Sequence, residues 1–490
     1  MKINGYLLYR IFKIRSITLK RFISLLILGF LIASSAFLCS CEDKDDVSLK
    51  DSVESRVTAY QTDLSDSLSS FKDNDSIKSF LISWAKHKSV ACQEDDYGNI
   101  IMSIPSSGRY VKANPTIVVC SYDCKNIRSG INQLTSALCL VKSGIETGEL
   151  QVIFTKSEGG NFEGMKSISP DYFQDNSNVF VLSDSVNESV SEKTCGMNTY
   201  KFTSPVEYTT PTGTLAYKVS IKGMNGGFPD AQGASYDNPI EALTDILAFF
   251  KNNSIIFELS NIEGGTSDSI YASDAEMTLV FDNDCNEKGL KKINSVLKKY
   301  ESSNAEENPD LEVTCTQVAM PESVMDSDSA NRFVGAQYTL PDGAFNKSDD
   351  DEEIISVCNI GCIRNSDSGI EILASGTGIS NKALKQIDEQ YKNICEISNL
   401  TFEKTGSIPI WKASNKQKFK ENFAGAYKSY SGKRCEFIDS LQSSITSIIK
   451  TKNPKCNMLS ISFGENETAK YTGTILTFMR DLPHEEETQS

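Results

Sequence analysis

Only two histidines, His87 and His484, occur in 490 residues, against 14 cysteines and 65 acidic residues. Sites that hold zinc through several imidazoles are thereby almost excluded. A cysteine nucleophile activated by histidine would have to use one of the same two residues. His87 stands between Lys86 and Lys88, which predicts a solvated surface side chain, and His484 lies in the acidic tail DLPHEEETQS. Cys120/Cys124 and Cys358/Cys362 repeat a C-x3-C spacing. On a strand, residues four apart are about 13 Å apart, too far for a mutual disulfide, so buried free thiols are the simpler expectation. The chain has no G-x-S-x-G elbow, P-loop or G-x-G-x-x-G, the short motifs that place a nucleophile or cradle a phosphate. The acidic runs 349–353 and 485–487 read as solvated faces.

The composition narrows the class further. A chain of 490 residues, 39% hydrophobic with 24 Phe, predicts two or three domains with a sizeable core. Its formal charge of −16 argues against a nucleic-acid partner, which needs a basic face. Residues 1–40 contain six Lys and Arg and no acidic residue, and an uncharged run from Phe22 to Cys39 follows the last basic residue, Arg21. That is the order of a secretory signal. Leu38 and Ser40 before Cys41 resemble a bacterial lipobox, which implies that Cys41 becomes a lipidated first residue. An uncleaved signal anchor and a soluble secreted protein are the alternatives. Each places the body of the protein outside the cytoplasm, and the first makes the membrane a partner through the lipid at Cys41. Without the signal, 43 basic residues face 65 acidic ones, a formal charge of −22. Anionic lipid surfaces should therefore repel the mature body.

The elements that must position any site follow from periodicity. Residues 42–75 are polar and Ser/Asp-rich and read as a tether, with a helix opening possible at Val57–Tyr60. Helical spacing of Ile77, Phe80, Leu81, Trp84 and Ala85 predicts a helix over 76–88, capped at Asp75/Ser76. Strands are predicted at 99–104, 115–120, 150–155 and 178–182 with a helix at 133–143, an α/β pattern with a largely parallel sheet. From about Thr199 the character changes. Strands at 214–222, 255–259, 275–281, near Gln337 and at 356–363, with helices at 238–251, 287–300 and 380–397, suggest an α+β domain. Helices at 416–429 and 438–450 and a strand at 458–463 end the chain.

Taken in order, several short segments resemble the aminoacyl-histidine dipeptidases, co-catalytic zinc dipeptidases, over about 90–490. They are Asp96-Tyr97-Gly98-Asn99, Pro115-Thr116-Ile117-Val118, Phe154-Thr155-Lys156-Ser157-Glu158 and Gly223-Met224-Asn225-Gly226-Gly227. Glu263-Gly264-Gly265-Thr266, Leu340-Pro341-Asp342-Gly343, Asn359-Ile360-Gly361 and Ile408-Pro409-Ile410-Trp411 complete the series. The resemblance implies a zinc-peptidase-like α/β domain with a mainly parallel sheet, split by an inserted α+β lid domain. The expected divisions are a signal at 1–41, a tether at 42–75, the peptidase-like domain at 76–198 and 406–490, and the lid at 199–405.

The same resemblance places the family's chemistry on particular residues. The first metal histidine matches Ser121 in Ser121-Tyr122-Asp123, and the bridging aspartate matches Ile131 in Ser129-Gly130-Ile131-Asn132-Gln133. Of the paired glutamates, the general base matches Glu158 and the ligand matches Gly159. The later aspartate ligand matches Asp184, and Asp123 and Asp184 are the remnant metal positions. The lid histidine matches Phe228 and the lid asparagine Ser269, so Asn132, Phe228 and Ser269 are the expected cleft positions. The segment expected to hold a further histidine begins at Ile438, and the final histidine ligand falls near Lys470-Tyr471. No arginine occurs between Arg364 and Arg434, where the resemblance expects one to hold the substrate carboxylate.

Serine is a poor zinc ligand, and isoleucine and glycine side chains offer no donor. Without metal, water beside a lone glutamate keeps a pKa near that of bulk. The sequence therefore predicts a non-catalytic, dipeptidase-like lipoprotein of the bacterial cell envelope, with no cofactor and a binding or scaffolding role toward a peptide or an envelope protein. The alternatives are a metallodipeptidase that cleaves Xaa-His or other dipeptides with Zn2+ at an aberrant site, and a purely structural envelope protein. Calcium on Asp123, Glu158 and Asp184 is a further possibility, since carboxylates suffice for it.

Overall fold

The computed structural model describes residues 48–482, apart from 125–126, 129, 158–161, 185–187, 228–235, 349–352, 414–416 and 465. Cys41, Glu158, Gly159, Phe228 and His484 thus lie outside the described residues. The chain up to Ser52 forms one unit, described only from Ser48, and Val53–Ser490 forms the other.

Along the chain, α1 (Leu49–Ser67) and α2 (Asn74–His87) precede β1 (Ala91–Glu94), β2 (Ile100–Ile104) and β3 (Thr116–Tyr122). Next come α3 (Ile131–Val141), β4 (Leu150–Lys156), α4 (Glu163–Ser167), β5 (Asn178–Asp184) and the long β6 (Ser189–Ser204). The middle of the chain holds β7 (Tyr208–Thr209), β8 (Leu215–Lys222), α5 (Pro239–Asn252), β9 (Glu258–Gly265) and β10 (Ala275–Phe281). It continues with α6 (Asn283–Asn304), β11 (Glu312–Val318), β12 (Val324–Met325), α7 (Ser327–Thr339) and β13 (Gly343–Lys347). Then follow β14 (Ile354–Ser366), β15 (Gly369–Gly378), α8 (Asn381–Ser398) and β16 (Thr401–Ile408). The last elements are β17 (Trp411–Lys412), α9 (Gln417–Ser431), β18 (Ile438–Ser443), α10 (Thr446–Lys452), β19 (Asn457–Phe463) and α11 (Thr468–Arg480).

The first sheet has the mainly parallel centre expected of it. β4, β3, β5 and β19 lie side by side in parallel, with β1 and β2 antiparallel beyond β4. Ile117, Val119, Ile153, Val179 and Val181 are buried to the last few per cent, as strands covered on both faces require. The second sheet is antiparallel in the order β16, β6, β15, β14, β9, β10, β8, β11. One core packs α5–α8 against it. β6 runs through both sheets: residues 189–195 pair with β17, β18 and β19, and 196–204 with β15 and β16. The division expected at 198/199 therefore falls inside a single strand.

Four local expectations are corrected. Residues 42–75 were expected as a tether, yet α1 spans 19 of them and buries Val57, Tyr60 and Leu64, which lie three or four residues apart on one helix face. The low hydrophobicity of the segment hid that stripe. Gln337 lies in α7, not in a strand; Asp326 caps this helix by accepting from the Ser329 amide at 2.8 Å, and Ser329, Phe333 and Gln337 are buried at helical spacing. The helix expected over 438–450 opens instead as β18, which pairs in parallel with β6, and turns helical only at Thr446. A long-range partner decided that segment over local propensity. At α2 the cap is Asp73, which forms a capping box with Ser76, two residues earlier than expected.

Candidate functional site

In an open α/β sheet, ligands bind beyond the carboxyl ends of the parallel strands. Here those ends are Tyr122, Lys156, Asp184 and Phe463, brought level by the registers Tyr122↔Lys156 and Asp184↔Phe463. Of the residues expected to do chemistry, Ser121, Asp123 and Asp184 stand at this edge, and Asn132 joins them from the first turn of α3.

Ser121, Asn132 and one oxygen of Asp184 are already engaged by the protein. The Ser121 hydroxyl lies 3.3 Å from that of Thr155, which in turn donates to the Cys120 carbonyl at 3.3 Å. Tyr122 is buried and turns back, donating to the Gly98 carbonyl at 2.5 Å. Asp184 Oδ2 accepts from the amides of Asn132 (3.0 Å) and Gln133 (3.5 Å), so the carboxyl group sits on the N-terminus of α3. Its Oδ1 is buried without a hydrogen-bond partner. Burial pushes the Asp184 carboxyl up to about 8, against the lowering effect of the Gln133 and Asn132 amides. The neighbouring Cys120 thiol is pushed well up by burial, with a further contribution from Asp184.

Asn132 is equally committed: its Oδ1 accepts from Gln61 Nε2 at 3.1 Å and from Thr468 Oγ1 at 3.0 Å, which ties α1, α3 and α11 together. Ile131 opens α3, and Ile438 opens β18 half-exposed. Lys470, at the place of the last expected ligand, is only 11% exposed along its side chain and pairs with Glu188 and, at 2.8 Å, with Glu467. Tyr471 beside it is buried against Phe463, edge to face at 5.7 Å between ring centres. Ser269 is not brought to this edge. It lies fully buried after β9, and its hydroxyl donates to Asp268 at 2.5 Å.

Asn74 went unnoticed in the sequence because it looks like any polar residue at a helix start. Its Oδ1 accepts from the Cys124 amide at 2.6 Å and its Nδ2 donates to the Ser157 carbonyl at 2.8 Å, so it clamps the ends of β3 and β4 together. Among the described residues, the cysteines are all free and no three His, Cys, Asp or Glu side chains gather as a metal-ligand set. A two-zinc centre needs a bridging carboxylate and several nitrogen or oxygen donors. Among the described residues, a Ser121 bonded to Thr155 and an Asp184 bonded to the α3 amides do not supply that set.

No family model matches the chain. The cytosol non-specific dipeptidase of Escherichia coli (strain K12) is 19% identical over 369 residues, covering 68% of this chain and 75% of the relative. The chain is a homologue of that dipeptidase. The crystal structure of aminoacylhistidine dipeptidase from Vibrio alginolyticus matches this dipeptidase homologue with a TM-score of 0.53 at 15% identity, over 85% of this chain and 94% of that one. The fold is thus the mixed α/β fold of a peptidase.

The segments that carried the resemblance now have structural roles. Asp342 accepts from the Ile360 amide at 2.6 Å, which links two of the motif regions, and from Asn238 Nδ2 at 3.3 Å. Gly265 adopts φ +64, and a Cβ there would lie 2.0 Å from the Gly361 carbonyl oxygen. A Cβ on Gly361 would in turn lie 2.1 Å from the Ser267 carbonyl oxygen, so each glycine is demanded by a close backbone approach of its own.

Proposed function

We propose that this dipeptidase homologue is a non-catalytic member of its fold that works at the bacterial cell envelope by binding or scaffolding, held to the membrane by lipid on Cys41. The observation that carries the reading is the state of the sheet edge. The carboxyl group of Asp184 is already bonded to the first amides of α3, and the place of the last expected ligand holds Lys470, whose amino group pairs with Glu188 and Glu467. A divalent metal would have to compete for that carboxyl group and would meet an ammonium, not a lone pair, at the last of these places. Asp123 and Asp184 are then remnants with structural contacts, and Glu158 is a base position with no metal-activated water to use. No zinc or other cofactor is needed. The membrane association rests on residues 1–41, and no helix among the described residues is long and apolar enough to cross a membrane.

The test is metal analysis of the purified protein joined to dipeptide hydrolysis at saturating zinc or manganese. The expected result is no stoichiometric metal and no turnover, with Glu158→Gln indistinguishable from the parent. Stoichiometric zinc with turnover abolished by Glu158→Gln would establish the rival reading, a metallodipeptidase acting on Xaa-His or other dipeptides. In the same preparation from its own envelope, the mature N-terminal peptide should carry a lipid mass at Cys41. Cys41→Ala should move the protein from the membrane to the soluble fraction.

A further inference from the structure

Lys470 is an unusual residue to find so covered. Its side chain is 11% exposed, and its amino group has two carboxylate partners, Glu188 just before β6 and Glu467 just before α11. It also lies 5.0 Å from the ring centre of Tyr471 and 5.7 Å from that of Tyr427 on α9. Two carboxylates and two aromatic faces thus surround one ammonium, an arrangement that favours a fixed positive charge. Burial works against that charge, but the hydrogen bonds to Glu188 and Glu467 outweigh it and hold the lysine above its ordinary pKa. Glu188 follows the end of β5 by four residues and Glu467 follows the end of β19 by four, so both carboxylates that hold the ammonium stand on chain leaving the edge where the parallel strands end.

We propose that the Lys470 ammonium is the resident cation of this edge, balancing Glu188 and Glu467 in the way a bound metal ion balances its carboxylates, so that the edge stays folded without any metal. This rests on the metal-free reading above and deepens it, because it states what replaces the metal's charge. It predicts two behaviours that an ordinary surface ion pair would not show. Removing the ammonium should leave two carboxylates facing each other, and a hard divalent cation should then become a stabilising ligand. The position should also respond to charge and not to side-chain bulk alone.

The experiment is thermal unfolding of the mature chain, alone, with EDTA, and with millimolar Ca2+ or Zn2+. For the parent, the expected midpoint is the same in all four conditions. Lys470→Met should lower it by about 5 °C, the scale of stranding partly buried charge in a chain this long. Ca2+ should recover part of that loss. Lys470→Arg should hold most of the parental midpoint. Adding Glu188→Gln and Glu467→Gln to Lys470→Met should restore stability and abolish the response to Ca2+. A parental midpoint raised by Zn2+ or lowered by EDTA overturns the proposal. So does Lys470→Met with no loss, or a triple variant as unstable as Lys470→Met. Should Lys470→Met fail to fold, the triple variant decides alone: folded supports the proposal, unfolded overturns it. Zinc-free, inactive protein with a harmless Lys470→Met would reject this inference and leave the non-catalytic reading standing, whereas bound zinc with turnover rejects that reading itself.

Discussion

Asn99→Ala is expected to lower the unfolding free energy by about 3 kcal/mol, as loss of a buried hydrogen-bond network does. Asn99 is fully buried. Its Nδ2 donates to Asp95 Oδ2 (2.6 Å), the Gly164 carbonyl (3.0 Å) and Ser167 Oγ (2.9 Å), and its Oδ1 accepts from the Lys156 amide at 2.9 Å. One side chain thus ties the β1–β2 turn to the end of β4 and to α4. Alanine leaves the Lys156 amide and the Gly164 carbonyl with fewer partners in a place water does not reach, and that desolvation penalty is the larger part of the loss. Urea unfolding followed by circular dichroism measures it. Asp is the informative second variant: it keeps an acceptor for Lys156 but puts a charge beside Asp95, so it should be at least as damaging as alanine. A loss below about 1 kcal/mol for Asn99→Ala would mean that the network is not what closes this turn.

The second large effect is a fall in stability with rising pH. Three half-buried acids carry raised pKa values in the native fold: Asp184, pushed up to about 8 mainly by desolvation, and the pair Glu241 and Asp342 in the second half. Burial is the main cause for Glu241, and the Asp342 charge adds to it. The raised value of Asp342 also comes from burial, against hydrogen bonds from the Ile360 amide and Asn238 that lower it. The sign follows from proton counting. An acid whose native pKa is raised binds more protons folded than unfolded. Its contribution is complete below the unfolded pKa, about 4. It is lost as pH climbs through the native value, so stability should fall from about pH 4 until it levels above about pH 8. Glu241→Gln isolates one member. Glu241 Oε1 accepts from Gln337 Nε2 at 2.9 Å, while Gln337 Oε1 is buried without a partner, so an amide at 241 gains a donor where one is wanted. The variant should match the parent near pH 5 and exceed it by a few kcal/mol at pH 9, since each tenfold difference in proton affinity between the folded and unfolded chain is worth about 1.4 kcal/mol. Denaturant unfolding at pH 5, 7 and 9 reads this directly. An equal slope in parent and variant would exclude Glu241 as a native proton holder.

Much of the fold was legible because local pattern and final environment agreed. Thr116–Cys120 is a nearly all-apolar run, and it became β3, covered on both faces. Trp84 and Ala85 fell at helical spacing with Ile77 and Leu81, and all four are buried on α2. The same reasoning failed where burial was sparse or a distant strand intervened. α1 buries a stripe of Val57, Tyr60 and Leu64 among serines and aspartates, too dilute to read as a core helix. Residues 438–443 had no local signal for a strand and became one because β6 offered a free edge. The seam between the halves was placed from composition, yet β6 crosses it, since one extended strand can pair with different partners along its length.

For the site, composition by itself determined the chemistry that was out of reach. With His87 and His484 alone, no arrangement of this chain supplies a multi-histidine metal centre, because ligand atoms depend only on residue type. At the places where the resemblance expects ligands, the sequence has Ser121, Ile131, Gly159 and, near the last, Lys470. What those places do instead was decided by tertiary structure. The Asp184 carboxyl is pushed up because folding desolvates it at the first turn of α3, and Lys470 is held by the Glu188, Glu467 and two tyrosines that converge on it. Charge state is a property of surroundings assembled from β5, β6, α3, α9 and α11, and no one segment of the sequence contains them.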